Sequence, residues 1–273
     1  MFVDIKDTTR VKLCLRNYGG GGFLPNARKY ICSGYDCVCL CNRGIYIPEA
    51  EGLMPSYECK IGNGMSTDGE YTILGIGVTS DPEIPEDWEN MIKTSSAKAV
   101  EAIRRIHIRN GYAVLRNAKA NTADEIARLE GLDAVEICGE DGHVSDLLNE
   151  LSSRGINLGV VCSGNDLLGS ICVEAKSEDC AGIVRALKAG RFFSSEGDGE
   201  IHISATPSGR VRVDCSPASE IRFFTNEAHT PDKIYTGENL ICAEYIPRDG
   251  EKFIRAQMTD MQGQSAWTNY IEV

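Results

Sequence analysis

The feature that most constrains this chain is a change of hydrophobic period that repeats from about residue 95 to residue 190 and then stops. "MIKTSSAKAVEAIRRIHIRNG" places Ala97, Val100, Ile103 and Ile106 on one side of a helix, with Gly111 after it. "YAVLRN" reads as a strand. "NTADEIARLEG" reads as a helix with Thr122 as N-cap and Glu125 at the capping-box position. "LDAVEIC" is a strand, "SDLLNELSSRG" a helix with Ser145 as cap, and "INLGVVCS" a strand. "SEDCAGIVRALKAG" is a further helix, capped by Ser177 and stopped by Gly190. Alternation of this kind implies parallel strands joined by crossover helices.

The N-terminal part fits the same scheme. "LPNARKYICSG" reads as a short helix, with Pro25 in its first turn and Gly34 at its end. Residues 35–42 form an apolar run, read as a buried strand. Gly/Asn and Asp-Gly turns separate apolar runs up to a strand at 71–78, and "DPEIPEDWEN" is an acidic loop. After residue 205 no helical period remains. Short alternating strands with Ser-Gly, Asp-Gly and Gln-Gly turns read as a small antiparallel β domain, with Trp267 as a packing anchor. The expected architecture is an α/β barrel over residues 1–204, followed by a sandwich-like β domain over 205–273.

A barrel of parallel strands places its chemistry at the strand C-termini. The residues to interrogate are therefore Arg16, Asn17, Asn42, Arg43, Glu58, Arg116, Asn117, Ser163 and Asn165. Cys37, Cys39 and Cys41 fall on one face of strand 35–42, because strand side chains alternate. That row suits core thiols better than a tetrahedral metal, which needs ligands converging from several directions. The chain has twelve cysteines but no Cys-x-x-Cys pair. The zinc-ribbon and thioredoxin-type readings therefore fail.

A formal net charge of −12 argues against nucleic acid and anionic membrane as partners. No apolar run reaches membrane-spanning length, and "MFVDIKDTTRVKL" carries charges where a signal peptide is apolar. Reduced thiols in a cytoplasmic protein are the expectation.

Several segments together resemble the polymerase and histidinol phosphatase (PHP) family of metal-dependent phosphoesterases. "GYDCVCLCNRG" is similar to its Gly-Tyr-Asp strand ending in Asp-His, and "LMPSYECKI" to its Pro-Gly-x-Glu segment. "GYAVLRNAKAN" resembles the stretch ending in Ala-His-Pro, and "LLNELSSRGINLGVVCSGND" the one ending in Asp-x-His. "IVRALKAGRFFSSEG" and "FIRAQMTDMQGQSAWTN" resemble the tail of stand-alone members. The resemblance implies a distorted seven-stranded (β/α) barrel with up to three metal ions that activate water for phosphoester hydrolysis.

The ligand positions depart from that pattern. The His-x-His appears as Cys14-Leu15-Arg16, the Asp-His as Asn42-Arg43, the His before Pro as Asn117, and the Asp-x-His as Ser163-Gly164-Asn165. The histidine near strand 71–78 appears as Tyr71 or Thr72, and only Glu58 is retained. His107, His143, His202 and His229 all stand elsewhere. Arginine has no lone pair for a metal and repels cations. The sequence thus predicts no metal, no cofactor and no catalytic residue. It points to a PHP-like protein binding a small anionic ligand or a partner through Arg16, Arg43 and Arg116 and the surrounding Asn and Ser side chains. Four alternatives remain open: a phosphoesterase with a reduced or altered metal site, an enzyme with a new chemistry in the same pocket, a purely structural role, and arginines that pair with Asp36, Glu58, Asp133 or Glu136 and fill the old site.

Overall fold

The computed structural model describes residues 9–14, 23–62, 69–85, 94–137, 142–163, 169–176, 179–227 and 231–273. The chain begins with β1 (Thr9–Cys14), α1 (Phe23–Ile31), β2 (Cys37–Leu40), β3 (Ser56–Ile61) and β4 (Tyr71–Ile76). It continues through α2 (Ser95–Ile108), β5 (Tyr112–Leu115), α3 (Ala123–Ala127), β6 (Ala134–Ile137), α4 (Gly142–Ser153) and β7 (Gly159–Cys162). Then come β8 (Ser170–Val173), α5 (Cys180–Lys188), β9 (Phe192–Ser195), β10 (Ile201–Ala205) and β11 (Val211–Thr225). The last strands are β12 (Ile234–Tyr245), β13 (Phe253–Thr259), β14 (Ser265–Thr268) and β15 (Ile271–Glu272).

The expected (β/α) barrel is not what these elements build. Strand outweighs helix, 39% against 23%, and among the described residues neither sheet closes on itself. Among the described residues a five-stranded sheet runs β3-β4-β5-β6-β7. A ten-stranded sheet runs β10-β11-β13-β14-β9-β8-β1-β2, with β12 on β11 and β15 on β13. Among the described strands, parallel ladders join β1 with β2, β5 with β6, and β6 with β7.

The alternation of helices and strands misleads for a specific reason. A helix between two strands makes them parallel only if it carries the chain back across the sheet. Here α2 links β4 to β5, yet the two strands are antiparallel. The excursion starts and ends at one end of the sheet, because the Thr79 amide donates to the Arg109 carbonyl at 2.8 Å. The α5 connection repeats the device. The Glu174 amide donates to the Arg191 carbonyl at 3.1 Å, and β8 and β9 pair antiparallel. Both connections are hairpins with a helix in the loop.

Several local expectations match the structure. Thr122 and Glu125 form the capping box of α3. Gly190 follows α5 with a φ of 68°. The N-cap of α5 is Asp179, whose side chain accepts from the Gly182 amide at 2.7 Å; Ser177 lies outside the described residues. Ser145 does not cap α4, which starts at Gly142 and carries Ser145 buried in its interior.

The five-stranded sheet is covered on both faces. Ile73, Leu115, Val135 and Val160 pack against Ile103 and Ile106 of α2, Ile126 of α3 and Leu148 of α4. Their chain neighbours Leu74, Val114, Ala134 and Val161 point the other way, toward Val11, Ile171, Val173 and α5. Cys37, Cys39 and Cys41 join that second layer and are at most 3% exposed, while Val38 and Leu40 face α1. Trp267 of β14 is 2% exposed and belongs to the first layer, where α2–α4 pack. Each such apolar side chain contributes about 1.5–3 kcal/mol by leaving water. The Trp88 position lies outside the described residues.

Where the two sheets meet, isolated contacts replace a ladder. Single parallel bridges join Val38 to Leu53 and Arg43 to Glu58. The Ser194 hydroxyl donates to the Val160 carbonyl at 2.7 Å and accepts from the Cys162 amide at 3.1 Å, holding β9 against β7.

Candidate strand-end site

Alternation along the strands sets the site. Val114, Ala134 and Val161 face the layer between the sheets. Two residues further on, the same face carries Arg116, Glu136 and Ser163. Glu58 of β3 reaches the same place. The Arg116 Nη1 donates to Glu58 Oε2 in a very short bond, and its Nε lies 3.4 Å from Glu136 Oε2. The Ser163 hydroxyl donates to Glu136 Oε1, again in a very short bond. These side chains are little exposed: 14% for Arg116, 11% for Glu58 and 6% for Glu136.

The electrostatics follow from this packing. Burial pulls the Arg116 pKa down, but the carboxylates of Glu136 and Glu58 outweigh it and raise the value overall. Hydrogen bonding with Cys39, reinforced by burial, raises the Cys41 thiol well above its usual range. Glu58 adds to that rise and Arg116 opposes it. Cys41 is therefore a protonated thiol and not a nucleophile.

The other expected residues fall into three groups. Asn117 is half-buried and its amide is fully engaged. Its Oδ1 accepts from the Thr72 amide at 2.9 Å and its Nδ2 donates to the Glu70 carbonyl at 3.1 Å, pinning β4. Asn42 is half-buried and its carbonyl closes a turn onto the Ile45 amide at 3.2 Å; Arg43 beside it is exposed. The Gly44 amide donates to the Glu58 carbonyl at 2.8 Å, which brings the Arg43 segment alongside β3. Arg16, Asn17 and Asn165 lie outside the described residues, as does the side chain of Cys14.

Glu136 is the member that a search of strand ends alone passes over. Its signal is a charge inside the apolar run "DAVEIC", on the face that otherwise carries Ala134. Asp133 pairs elsewhere: its Oδ2 lies 2.8 Å from His107 Nε2 and accepts from the Ala113 amide at 2.6 Å. His202 packs edge-on against Phe193, and His143 is exposed at the start of α4. Among the described residues no group of three or more His, Cys, Asp and Glu side chains is arranged to hold a metal ion. No helix among them is long and apolar enough to cross a membrane.

No protein-family model matches the chain, and no curated protein matches it.

Proposed function

We propose that this chain is a non-hydrolytic, PHP-like binding protein in which the Arg116 guanidinium takes the place of a cation between Glu58 and Glu136. The observation that carries this reading is the Glu58–Arg116–Glu136–Ser163 chain of contacts. Guanidinium supplies fixed positive charge and planar donors, but it cannot lower the pKa of a bound water as a metal does. The ligand is a small phosphate or carboxylate anion. It is met by the exposed Arg43 beside the cluster rather than by Arg116, whose Nη1 and Nε are directed at carboxylates. The compartment is the cytoplasm: the described cysteines are free thiols, the state that a reducing environment maintains.

The test is an assay of purified protein on p-nitrophenyl phosphate with added Mg²⁺, Mn²⁺ or Zn²⁺, beside a thermal-shift series of phosphate esters and carboxylates. The reading expects no chelator-sensitive hydrolysis, and stabilisation by at least one anion that Arg43→Ala weakens. Chelator-sensitive turnover, or a panel without any shift, overturns it.

A further inference from the structure

A second site lies in the seam between α4 and the C-terminal strands. A cavity of about 150 Å³ opens there, with Asn149 and Ser153 of α4 on one side and Phe224, Thr225 and Lys233 on the other. Two buried cations flank it. Lys233 is 1% exposed and pairs with Glu251 Oε1 at 2.8 Å, while its Nζ also donates to Thr225 Oγ1 at 2.6 Å. Arg255 is fully buried, with its guanidinium 4.0 Å above the Phe224 ring.

The described hydrogen-bond partners of Arg255 are all neutral. Its Nε donates to the Tyr270 hydroxyl, and its Nη2 donates to the Ser145 carbonyl and to Asn149 Oδ1, each at 3.2 Å. Its Nη1 is buried with no partner among the described residues. Lys233 is balanced by Glu251, whereas no carboxylate stands among the described hydrogen-bond partners of Arg255. A buried guanidinium without a counter-charge is costly, and an orphaned buried donor points to a missing ion or water. Asn149 and Phe224 belong both to the cavity wall and to the surroundings of Arg255. Because Arg255 holds Asn149 Oδ1, the amide of Asn149 has its donor nitrogen left to offer the cavity.

We propose that this cavity binds a small oxyanion, a phosphate or carboxylate group, held by Asn149 and Lys233 in the field of Arg255. The volume admits such a group. The exposed carboxylate of Glu227 at the lining sets a limit on ligand charge and favours a small anion over an extended polyanion. This inference is independent of the strand-end cluster, and different substitutions report on each.

The test is calorimetric titration and thermal shift of the full chain with orthophosphate in one arm and acetate in the other, at fixed ionic strength. One arm or both should saturate, with Tm rising by about 5 °C at 100 times Kd. Ser153→Trp, at an exposed position on the lining, should abolish binding while leaving the unliganded Tm near wild type. Asn149→Leu should weaken binding at least tenfold, and Arg43→Ala should leave it unchanged. Silence of both anions overturns the proposal, and so does binding that survives both Ser153→Trp and Asn149→Leu. The arm that responds names the source of the oxyanion.

Discussion

Replacing Arg116 by methionine isolates what its guanidinium does. Methionine keeps most of the side-chain volume, so the packing loss is small and the lost charge dominates. The variant removes that guanidinium from between Glu58 and Glu136, whose side chains are 11% and 6% exposed. Breaking a buried pair from one side costs about 3–5 kcal/mol. In a chain of this size that corresponds to a Tm loss of roughly 10 °C. The remaining carboxylates should escape by taking up a proton, so their folded pKa values rise above the unfolded carboxyl value. A raised acid pKa gives stability that is lost as pH climbs. The deficit of Arg116→Met should therefore be smaller near pH 5 than near pH 8. Millimolar Mn²⁺ should recover part of it, about 2.7 kcal/mol at 100 times Kd, and should do nothing for wild type. The triple variant Glu58→Gln, Glu136→Gln, Arg116→Met should return to within about 1 kcal/mol of wild type. Urea unfolding at two pH values measures all of this. A single variant as stable as wild type, with no pH or Mn²⁺ dependence, would refute the reasoning.

Further outcomes follow from other parts of the molecule. Burial pushes the Glu251 carboxyl up, but hydrogen bonds from Lys233, the Arg248 amide, Tyr245 and Thr225 outweigh it and lower its pKa. Its stabilising contribution is present above the unfolded carboxyl value and lost as pH falls through the lowered one. Glu251→Gln should thus flatten the acid limb of a stability-against-pH curve. Gly77 has φ at 70°, and a Cβ there would lie 2.2 Å from Val184 Cγ2. Gly77→Ala should cost about 1–3 kcal/mol by thermal melting, whereas a neutral result would mean that α5 packs differently. Among the described thiols, the exposed Cys32 and Cys242 should react with a disulfide reagent within minutes. Cys59 is held back, its pKa pushed up to about 12 chiefly by burial, so fast labelling there would contradict the packing of β3.

The sequence showed where the elements lie better than how they pair. Thr122 with Glu125, Gly190 and the thiol row of β2 could be read directly, because capping, helix stops and strand alternation are local effects. The closed barrel could not be read, because pairing direction depends on where each connection returns. The antiparallel ladders of β4 with β5 and β8 with β9, and the Thr79–Arg109 and Glu174–Arg191 bonds, show that α2 and α5 sit in hairpin loops. Ser145 looked like a cap because "HVSD" puts a serine before an apolar run, but α4 starts three residues earlier and buries it. Pairing of an arginine with Glu58 and Glu136 stood among the alternatives, yet the choice between pairing and a shared pocket needed the side-chain geometry. The orphaned Arg255 had no sequence signal: "KFIRAQM" alternates like any strand, and its arginine is buried by α4, more than a hundred residues away.

The central claim is that a guanidinium occupies the place of a metal ion between two carboxylates. An anomalous difference map from wild-type crystals grown in millimolar Mn²⁺ tests it most directly. The account predicts Arg116 density between Glu58 and Glu136 and no anomalous peak there. A Mn²⁺ peak at roughly 2.0–2.6 Å from either carboxylate, with Arg116 turned aside, would contradict it.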